Sequence, residues 1–560
     1  MSFAAPRDTL VAWRESEVAA ALDAAFEAAR AGRWAVGFVA YEAAPAFDRA
    51  NCVRPSEGAL PLAAFAVFDA PAAQPLAGAN DAFQCGLWRI ATSEAEACAA
   101  IERLRQQIAD GAFYQVNLTT RLRAAFAGSG AAFFAALHAA QPHGYGLYLD
   151  GGDWEILSVS PELFFDWRPD GALVTRPMKG TAPRHADAQR DAAAAAALRA
   201  SAKERAENLM IVDLLRNDLA RIARLGSVRV MELFALDALP TVWQMSSTVA
   251  CVTRPGLRLS DVFAALFPCG SVTGAPKIAA LHAIAALEPS PRGAYCGALG
   301  LIRPGGHATF SVGIRTVVID RRQGLAECGV GSGIVFDSAP AAEYAEWLAK
   351  RRFLLRATAG FELLETLLLE QGRYFLRERH LARLTAAAEH FGFPCDPTSV
   401  AAALDALARA HPHGAWRVRL LLDRCGQARC EIFPLEPLPE NPVVMLATQP
   451  IAASEFLHFK TTERSAYAPF VPPPGVFDTL LWNAEGELTE FTRGNLVVEL
   501  DGRRITPPLE AGLLPGVMRA ELLARGAIVE QPIRCDDLAR ASAVWFINSV
   551  RGWVPVRWVG

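Results

Sequence analysis

The stretch Leu173-Val-Thr-Arg-Pro-Met-Lys-Gly-Thr181 places a single lysine, Lys179, just after an apolar and β-branched run. Such a run favours a β-strand, and the proline and glycine near the lysine favour a break where the strand ends. Next to packed apolar surface a lysine loses part of the stabilisation of its charge, so it can act as a nucleophile or base. A solvated loop lysine is the common alternative, because most lysines are exposed.

Length and composition describe a well-buried globular chain. At 560 residues and 60.2 kDa the chain exceeds what one core holds, so more than one domain is expected. Hydrophobic residues make up 52% and charged residues 20%, which argues against disorder. A net charge of −4 without a basic block argues against nucleic acid or an anionic membrane as a partner.

The sequence shows no pattern typical of export or of structural disulfides. The first residues, Met1-Ser-Phe-Ala-Ala-Pro-Arg-Asp8, lack the apolar core of a signal peptide. No run of about 18 apolar residues is present to span a bilayer. The eleven cysteines are scattered, with no C-x-x-C pair and no spacing typical of zinc ligands. We therefore expect a soluble, cytoplasmic protein.

Strand-like runs and helical stretches alternate irregularly, without the regular βαβ repeat of a parallel sheet. The predicted fold class is therefore α+β. The texture of the sequence changes near residues 351–361, where a helical stretch closes on Gly360 and a new strand-like run begins at Phe361. We predict two domains, residues 1–355 and residues 356–560.

Two predicted helices each carry a pair of glutamates three residues apart, Glu204 with Glu207 and Glu343 with Glu346. This spacing puts both carboxylates of a pair on one helix face. Two such pairs facing one cleft would supply the hard oxygen ligands that Mg²⁺ prefers. A solvated acidic face is the alternative for either pair alone.

Two glycine-rich segments, Gly270-Ser-Val-Thr-Gly-Ala-Pro-Lys277 and Gly329-Val-Gly-Ser-Gly333, are predicted to be turns. Each could direct backbone N–H groups at an anionic oxygen, although neither matches a P-loop. Arg315 lies in the strand-like run Phe310–Val318. An arginine within an apolar run needs a fixed anion, commonly a carboxylate held by two hydrogen bonds.

Several longer motifs follow one another in a fixed order across roughly residues 1–355. They are Tyr114-Gln-Val-Asn-Leu118, Ser160-Pro-Glu-Leu-Phe164, Arg176-Pro-Met-Lys-Gly-Thr181, Glu207-Asn-Leu-Met-Ile-Val-Asp-Leu-Leu-Arg-Asn-Asp218, Gly270-Ser-Val-Thr-Gly-Ala-Pro-Lys277 and Gly331-Ser-Gly-Ile-Val-Phe-Asp-Ser338. This set resembles the chorismate-utilising enzyme family. The resemblance implies packed β-sheets flanked by helices, chorismate as substrate and a Mg²⁺ that grips the ring carboxylate.

The resemblance also implies roles for individual residues. Glu162 is similar to the family's general acid/base, and Glu207 and Glu346 are similar to its direct Mg²⁺ ligands. Glu204 and Glu343 would lie nearby or act through water. The residues similar to the family's substrate contacts are Arg315, Tyr295, Thr273, Gly274, Gly331, Ser332, Gly333 and Gln115.

Two positions separate the branches of this family, and a third departs from the pattern of many relatives. Branches that add water to chorismate carry a lysine where this chain has Gln115, and glutamine is no base near neutral pH. Anthranilate synthases carry a small residue in place of Lys179, whereas aminodeoxychorismate synthase component I has a lysine there, taken to attack ring carbon C2. Gln244 stands where many relatives have a histidine.

An ammonia source is also missing from the pattern. The chain has no glutaminase nucleophile elbow and no matching Cys-His-Glu set. A separate glutamine amidotransferase subunit is therefore the partner that the resemblance implies.

The second part of the chain places Lys460 after a short apolar stretch and Glu490 on a predicted strand. A buried glutamate beside a pyridinium nitrogen would keep it protonated and make the ring an electron sink. Arg383, on a predicted helix, could hold a phosphate. A structural lysine and glutamate are the alternative.

These residues resemble the fold-type IV pyridoxal-phosphate enzymes over about 358–560, although the family's first strand before Phe361 is missing from the pattern. Lys460 matches the lysine that holds the cofactor, Glu490 the partner of the ring nitrogen and Arg383 the phosphate arginine. The matches to the two phosphate loops are Val517 with Met518, and Ser549 with Val550. The branch resembles 4-amino-4-deoxychorismate lyase, in which a threonine at the position of Thr366 assists proton transfer.

The two resemblances point to one pathway, because the product of the first reaction is the substrate of the second. We expect a bifunctional enzyme that makes 4-aminobenzoate from chorismate and ammonia for folate synthesis, with a homodimer through the second domain as a further expectation. An anthranilate synthase component fused to an aminotransferase, and a synthase with a non-catalytic second domain, are the alternatives.

Overall fold

The computed structural model describes residues 1–56, 58, 60–73, 76–79, 81–142, 144–183, 188–238, 242–358 and 360–559. The chain divides into two compact units, Met1–Thr358 and Ala359–Gly560. Across the described ranges, no helix is both long and apolar enough to cross a membrane.

The first unit is rich in strands. They are β1 (Asp8–Ala12), β2 (Trp34–Val39), β3 (Ala63–Phe68), β4 (Phe83–Cys85), β5 (Arg89–Ile90), β6 (Gln115–Gly128), β7 (Tyr145–Asp150), β8 (Trp154–Ser160), β9 (Leu163–Trp167), β10 (Ala172–Arg176), β11 (Met178–Pro183), β12 (Arg229–Ala238), β13 (Val242–Val252), β14 (Gly274–Ala275), β15 (Ala298–Arg303), β16 (His307–Val312), β17 (Thr316–Asp320) and β18 (Leu325–Ile334).

Helices flank these strands. They are α1 (Glu15–Arg30), α2 (Glu94–Ala109), α3 (Gly130–Ala140), α4 (Ala188–Ala200), α5 (Ala202–Ala220), α6 (Leu259–Leu266), α7 (Lys277–Leu287), α8 (Pro340–Lys350) and α9 (Arg352–Thr358). Helix α1 buries Val18, Leu22 and Phe26, which recur at helical spacing on one face. Helix α2 begins at a capping box, in which Ser93 and Glu96 satisfy each other's backbone N–H groups.

Two antiparallel sheets form the first unit. One has the strand order β1-β3-β2-β15-β16-β9-β10-β13-β11, with β12 paired to β13, and the other has the order β14-β6-β18-β17-β8-β7, with β4 and β5 paired to β6. Each sheet has its own apolar core, shared with α1 and α6 in the first case and with α2, α3 and α8 in the second.

The chain crosses from one sheet to the other at two points that matter for the site. Strand β8 leads into β9 through Pro161 and Glu162, and β16 leads into β17 through residues 313–315. The two crossings are hydrogen-bonded to each other, because Val159 N donates to Arg315 O and Val312 N donates to Glu162 O, both at 3.1 Å. Glu162 and Arg315 therefore both lie at the junction of the sheets.

The second unit combines two sheets with fewer helices. Its strands are β19 (Leu363–Glu370), β20 (Arg373–Tyr374), β21 (Ala415–Leu422), β22 (Ala428–Pro434), β23 (Val443–Leu446), β24 (Asp478–Trp482), β25 (Leu488–Phe491), β26 (Asn495–Leu500), β27 (Arg503–Thr506), β28 (Val529–Glu530), β29 (Ala543–Asn548), β30 (Gly552–Pro555) and β31 (Arg557–Val559). Its helices are α10 (Arg377–Phe391), α11 (Pro397–Ala410) and α12 (Val517–Ala524).

The first sheet of this unit, β20-β19-β21-β22, is antiparallel and packs its apolar face on α10 and α11. The second has the order β28-β27-β26-β25-β24-β23-β31, with β29 on β26, and includes parallel pairs at β23 and at β27–β28. Antiparallel sheets with irregularly placed helices in the first unit, and mixed pairing in the second, confirm the predicted α+β class.

Two sequence-based expectations are wrong. The run Phe310–Val318 is not one strand, because it is interrupted at the sheet crossing and Arg315 has φ +49°. The segment Gly329–Gly333 is not a turn but part of β18, paired to β6 from Leu325 to Ile334. Its glycines alternate, so they share one face of the strand, where they leave room for neighbouring side chains.

Candidate active sites in the two units

Lys179 lies on β11, at a point where this strand departs from regular pairing with β13. Its Nζ makes no hydrogen bond or ion pair within the described ranges, but its charge acts on Glu162, Glu204, Glu207 and Glu346. The lysine is therefore not a solvated loop residue. It is a half-buried ammonium surrounded by carboxylates on three different elements.

Glu162 is buried at the first sheet crossing, with 3% of its surface exposed. Burial raises the pKa of this carboxyl to about 7, although a hydrogen bond from Ser271 and the charge of Lys179 oppose the shift. Ser271 Oγ donates to Glu162 Oε1 at 2.6 Å. A carboxyl with a pKa near the operating pH can both give and take a proton, as a general acid/base must.

Gln115 and Gly333 lie next to the amino group of Lys179. A Cβ on Gly333 would lie 2.2 Å from Gln115 Nε2 and 2.9 Å from Lys179 Nζ, so only glycine leaves this space open. Gln115 is fully buried, and neither its Nε2 nor its Oε1 has a hydrogen-bond partner among the described residues. Buried amides are normally paired, so this amide is available to a ligand.

The four predicted metal ligands lie on α5 and α8 and influence one another. Burial raises the pKa of Glu204, and raises that of Glu207 to about 7, and neighbouring carboxylates add to both shifts. Glu346 behaves differently: burial acts to raise its pKa, but the Lys350 ammonium at 2.7 Å holds it below its ordinary value. Like charges that raise each other's pKa in this way are relieved by a bound cation.

Glu343 is the most constrained of the four carboxylates. It accepts hydrogen bonds from Ser332 Oγ at 2.5 Å and Ser338 Oγ at 2.7 Å, and Lys203 Nζ lies 4.0 Å away. This arrangement fixes Glu343 against β18 and supports an indirect role. Lys203 also lies 3.9 Å from Glu207.

The donor chemistry at this site fits Mg²⁺, because carboxylate oxygens from separate helices share one half-buried region. Among the described residues, no three His, Cys, Asp or Glu side chains already converge as a metal cluster. Lys203 and Lys350 supply the compensating positive charge instead. Glu207 and Glu346 remain the predicted direct ligands.

Within the described part of the chain Arg315 has no carboxylate partner, so the anion predicted for it is not supplied by a described side chain. Its guanidinium donates to Gln141 Oε1 and lies 5.8 Å from the ring centre of Phe353. Burial lowers its pKa to about 10. A partly buried guanidinium that no described carboxylate neutralises can bind an anionic ligand.

The other predicted substrate contacts lie around this junction. Beyond Cys328, β18 pairs with β6 on one side only, so alternate backbone groups face the open side, and one of them, Gly331 O, accepts from Lys350 Nζ at 2.7 Å. Tyr295 packs its ring against Gly329 and lies under the guanidinium of Arg121 at 5.3 Å.

Thr273 and Gly274 belong to the loop that presents Ser271. Thr273 Oγ1 donates to Cys269 O at 3.0 Å, so its hydroxyl proton is used within the loop. A Cβ on Gly274 would lie 2.1 Å from Gln115 O, which explains why this position holds glycine. The loop therefore packs directly against the strand that carries Gln115.

Sequence reasoning missed the residues that hold these groups in place. Ser271 orients Glu162, Gln141 meets Arg315, and Arg292 ties the loop to β6 by donating to Val272 O and Asn117 O, both at 2.8 Å. Ser271 lies inside a motif that was singled out, but its partner is 109 residues away in sequence. A partner that far away leaves no local pattern.

In the second unit, the charges of Lys460 and Glu490 influence each other's pKa. Burial and the neighbouring Arg383 lower the pKa of Lys460 to about 8, which Glu365 and Glu490 oppose. Burial raises the pKa of Glu490 to about 8. Tyr467, which the sequence interpretation missed, donates to Glu490 Oε1 at 2.8 Å.

Arg383, the predicted phosphate arginine, already has protein partners. It makes two hydrogen bonds to Glu365, at 2.8 and 2.7 Å, and a third to Pro515 O at 3.1 Å. His380 Nδ1 lies 2.6 Å from the same carboxylate. The arginine therefore anchors the loop before α12, and two of its five N–H groups remain available to a phosphate.

The predicted phosphate loops have suitable geometry. Val517 and Met518 begin α12 after Gly516, and the first turn of a helix leaves its N–H groups unpaired. A Cβ on Gly516 would lie 1.7 Å from Asn495 Oδ1, so only glycine fits. In the other loop the Val550 N–H already donates to Asn548 Oδ1 at 3.0 Å, which leaves Ser549 as the backbone donor there.

Together these features fit pyridoxal phosphate. A lysine of lowered pKa, a buried carboxyl without an ion-pair partner among the described residues and a helix N-terminus are the groups that the cofactor requires. Thr366 follows Glu365 on β19, so its side chain faces away from the Glu365–His380 pair. Among the described residues no hydrogen bond joins the Thr366 side chain to Lys460.

Comparison with known proteins matches each unit to one family. The profile of the chorismate binding enzymes matches residues 3–356, and that of the class IV amino-transferases matches residues 362–559. The chain is 41% identical over 263 residues to aminodeoxychorismate synthase component 1 of Klebsiella aerogenes, covering 47% of this chain and 58% of that protein.

Other relatives belong to a neighbouring activity. Anthranilate synthase component 1 of Streptomyces coelicolor is 40% identical over 299 residues, covering 52% of this chain and 58% of that protein. The crystal structure of anthranilate synthase component I from Streptococcus pneumoniae superposes with a TM-score of 0.53 at 26% identity, covering 59% of this chain and 84% of that one. The chain spans 58% of the length of both curated relatives. It belongs to the chorismate binding enzyme family and carries a class IV amino-transferase domain after the chorismate-binding one.

Proposed function

We propose that the chain makes 4-aminobenzoate in two steps. The first unit would aminate chorismate to 4-amino-4-deoxychorismate, and the second would eliminate pyruvate from that intermediate. The single observation that carries the proposal is Lys179. Among the described residues its Nζ has no hydrogen bond or ion pair, and it lies near Glu162, the predicted general acid/base, and the α5 carboxylates. The similarity to an aminodeoxychorismate synthase component 1 supports the same reaction.

In the first step the Lys179 amine would form a bond to C2 of the ring. The ring double bonds shift, the C4–O bond breaks, and Glu162 protonates the departing hydroxyl so that water leaves. Ammonia then bonds to C4, the double bonds shift back and the C2–N bond to Lys179 breaks. Lys179 must give up its proton before it attacks, and Glu162 must be protonated when the hydroxyl leaves.

The charges of the site fit the charges of the substrate. Chorismate is a dianion, and Arg315 lacks a protein carboxylate to pair with. Glu207 and Glu346 would hold Mg²⁺, which supplies a Lewis acid for the ring carboxylate. Glu204 and Glu343 would support these ligands, and Gln115 would bind the substrate without activating water.

In the second step Lys460 would remove the proton at C4 of the intermediate as the C3–O bond breaks, so that pyruvate leaves and the ring becomes aromatic. Pyridoxal phosphate, when bound, supplies the electron sink for this deprotonation. Glu490 would hold the ring nitrogen, and Arg383 and α12 would hold the phosphate. We propose that Thr366 assists the proton transfer.

The remaining expectations belong to this proposal. The synthase domain would span residues 1–355 and the lyase domain residues 356–560, with a homodimer through the latter. A separate glutamine amidotransferase would supply ammonia, as the words "component 1" in the relatives' names imply a second component. A reducing, cytoplasmic location for folate synthesis is supported by eleven cysteines that are all free.

Product analysis tests the proposal. The purified chain is incubated with chorismate, Mg²⁺, ammonium and pyridoxal phosphate, and 4-aminobenzoate and pyruvate are expected in equal amounts. The similarity to anthranilate synthase component 1 makes anthranilate the competing product of the first unit, and its appearance alone would refute the amination at C4. Aminodeoxychorismate accumulating without pyruvate would refute the lyase step.

A further inference from the structure

The direction in which Lys179 leaves its strand is set by a β-bulge. Strand β11 pairs with β13 at Met178↔Ser246 and again at Thr181↔Gln244. Between these pairs, Lys179 and Gly180 stand opposite Met245 alone. Two residues opposite one define a bulge, which leaves the extra residue without a ladder partner and turns its side chain away from the regular alternation.

Gly180 makes the bulge sterically possible. Its φ is +90°, a conformation that favours glycine. A Cβ at this position would also lie 2.9 Å from Glu204 Oε2 and 3.3 Å from Leu198 Cδ1, so the bulge packs tightly against α4 and α5. The Gly180 carbonyl lies in the irregular part of the ladder, between the paired positions Met178 and Thr181.

The Gln244 side chain provides a partner for the Gly180 carbonyl. Its Nε2 donates to Gly180 O at 2.8 Å, and its Oε1 accepts from Thr181 Oγ1 at 3.2 Å. The amide is buried and holds both residues that follow Lys179. A glutamine amide carries a donor and an acceptor in one plane and does not change charge near neutral pH. Its two hydrogen bonds to the bulge are therefore the same in every protonation state of the site.

We infer that Gln244 is the positioning residue for Lys179. By satisfying the bulge it fixes Lys179 Nζ above Gly333, in the field of Glu162, and it replaces the histidine that many chorismate-utilising enzymes carry at this position. The inference rests on the amination proposed above. It gives Gln244 no proton to transfer, which agrees with the chemistry of an amide.

The test variant is Gln244→Met, which keeps the length of the side chain and removes its hydrogen bonds to Gly180 and Thr181. The matched control is Gln84→Met on the exposed edge strand β4. We expect Gln244→Met to lower kcat for aminodeoxychorismate formation by about 10- to 100-fold, because small misplacements of a reacting group cost that much. The KM for chorismate and the lyase rate on added aminodeoxychorismate should stay within about twofold. Thr181→Val, which removes only the longer bond, should fall in between.

Chemical labelling gives a readout that does not depend on turnover. The native chain is treated with trinitrobenzenesulfonate, and the labelling rates of Lys179 and Lys203 are read by mass spectrometry. We expect Gln244→Met to change the rate at Lys179 several-fold and to leave that at Lys203 unchanged. A general loosening of the unit would change both lysines together.

A double-mutant cycle separates positioning from simple stability. If Gln244 acts through Lys179, then Gln244→Met should have no further effect on the residual rate of Lys179→Ala. Equal losses in both backgrounds, or an unchanged kcat with unchanged Lys179 labelling, would overturn the inference. Failure of the wild-type chain to make aminodeoxychorismate would instead overturn the proposed amination, whatever the labelling shows.

Discussion

Ser271 Oγ lies 2.6 Å from Glu162 Oε1 and donates to it inside a region where both side chains are buried. The bond favours the carboxylate form of Glu162, while burial favours the neutral form and dominates, so that the pKa is about 7. The pKa of Glu162 is therefore set by two opposing effects, the hydrogen bond from Ser271 and the burial of the carboxyl.

Ser271→Ala should move the pH profile of the synthase. Without the hydroxyl the pKa of Glu162 rises further, so the protonated acid persists to higher pH and the alkaline limb of kcat/KM for chorismate shifts upward by about one unit. The measurement is kcat/KM against pH with free ammonia held constant. Ser311→Ala is the matched control, because among the described residues that buried hydroxyl donates to Leu299 O and not to Glu162. An identical shift in this variant would contradict the effect ascribed to Ser271.

Gly333→Ala should disable the first unit without unfolding it. The new methyl would lie 2.2 Å from Gln115 Nε2 and 2.9 Å from Lys179 Nζ, so it occupies the space between them. We expect synthase activity to fall by roughly 100-fold, with circular dichroism and lyase activity retained. Gly360→Ala, where nothing lies within 4 Å of the added Cβ, is the control and should keep full activity in both assays.

Lys460→Ala should abolish the visible absorbance of the bound cofactor. Lys460 is the buried amine whose pKa is lowered to about 8, and the assignment requires it to hold pyridoxal phosphate covalently. Reconstituted wild-type and variant chains are compared by absorbance and by pyruvate release from added aminodeoxychorismate. A spectrum that survives the substitution would assign the cofactor to another amine, while synthase activity should be unaffected in either case.

The second unit should lose stability in acid through Glu365. Arg383 and His380 overcome the effect of burial and lower the pKa of this carboxyl to about 2, below its ordinary value of 4.5. A depressed pKa means that the carboxylate stabilises the fold above pH 4.5 and that this contribution is lost as the pH falls towards 2. Hydrogen exchange of the β19 and α10 amides between pH 7 and pH 3 measures the loss.

Glu365→Gln is the variant that isolates this effect. It leaves Arg383 buried without its charge partner, so we expect a loss of about 3–5 kcal/mol in local stability at pH 7, with little further loss between pH 4.5 and 2. Glu431→Gln on the same sheet removes ion pairs with the partly exposed Arg419 and Arg429 and should cost about 0–1 kcal/mol. Equal costs for the two variants would mean that Glu365 carries no special charge role.

The sequence was sufficient for the α+β class. Through residue type it also predicts the chemistry of Lys179, Glu162 and Glu490, whose catalytic roles stay predictions. It did not reveal the bulge at Gly180, because register depends on a partner strand more than 60 residues away. It misread Gly329–Gly333 as a turn, because glycines that make room on one face of a strand look like glycines that permit a turn.

The protein partners of the arginines could not be predicted from the sequence. Arg315 donates to Gln141, and Arg383, predicted to bind a phosphate, is also paired with Glu365. Both outcomes depend on which side chains the tertiary fold brings near, and neither partner lies within one helical turn in sequence. Residue type predicts the chemistry of a group, and tertiary packing determines which side chains it contacts.

The two sheet crossings of the first unit impose a constraint on chain length. Val159 N donates to Arg315 O and Val312 N donates to Glu162 O, so the backbone position of each crossing depends on that of the other. An insertion or deletion of one residue in either crossing would shift Arg315, the predicted anion contact, and Glu162, the predicted acid/base, relative to each other. These two short connections are therefore places where the length of the chain cannot vary independently, even though each is a loop.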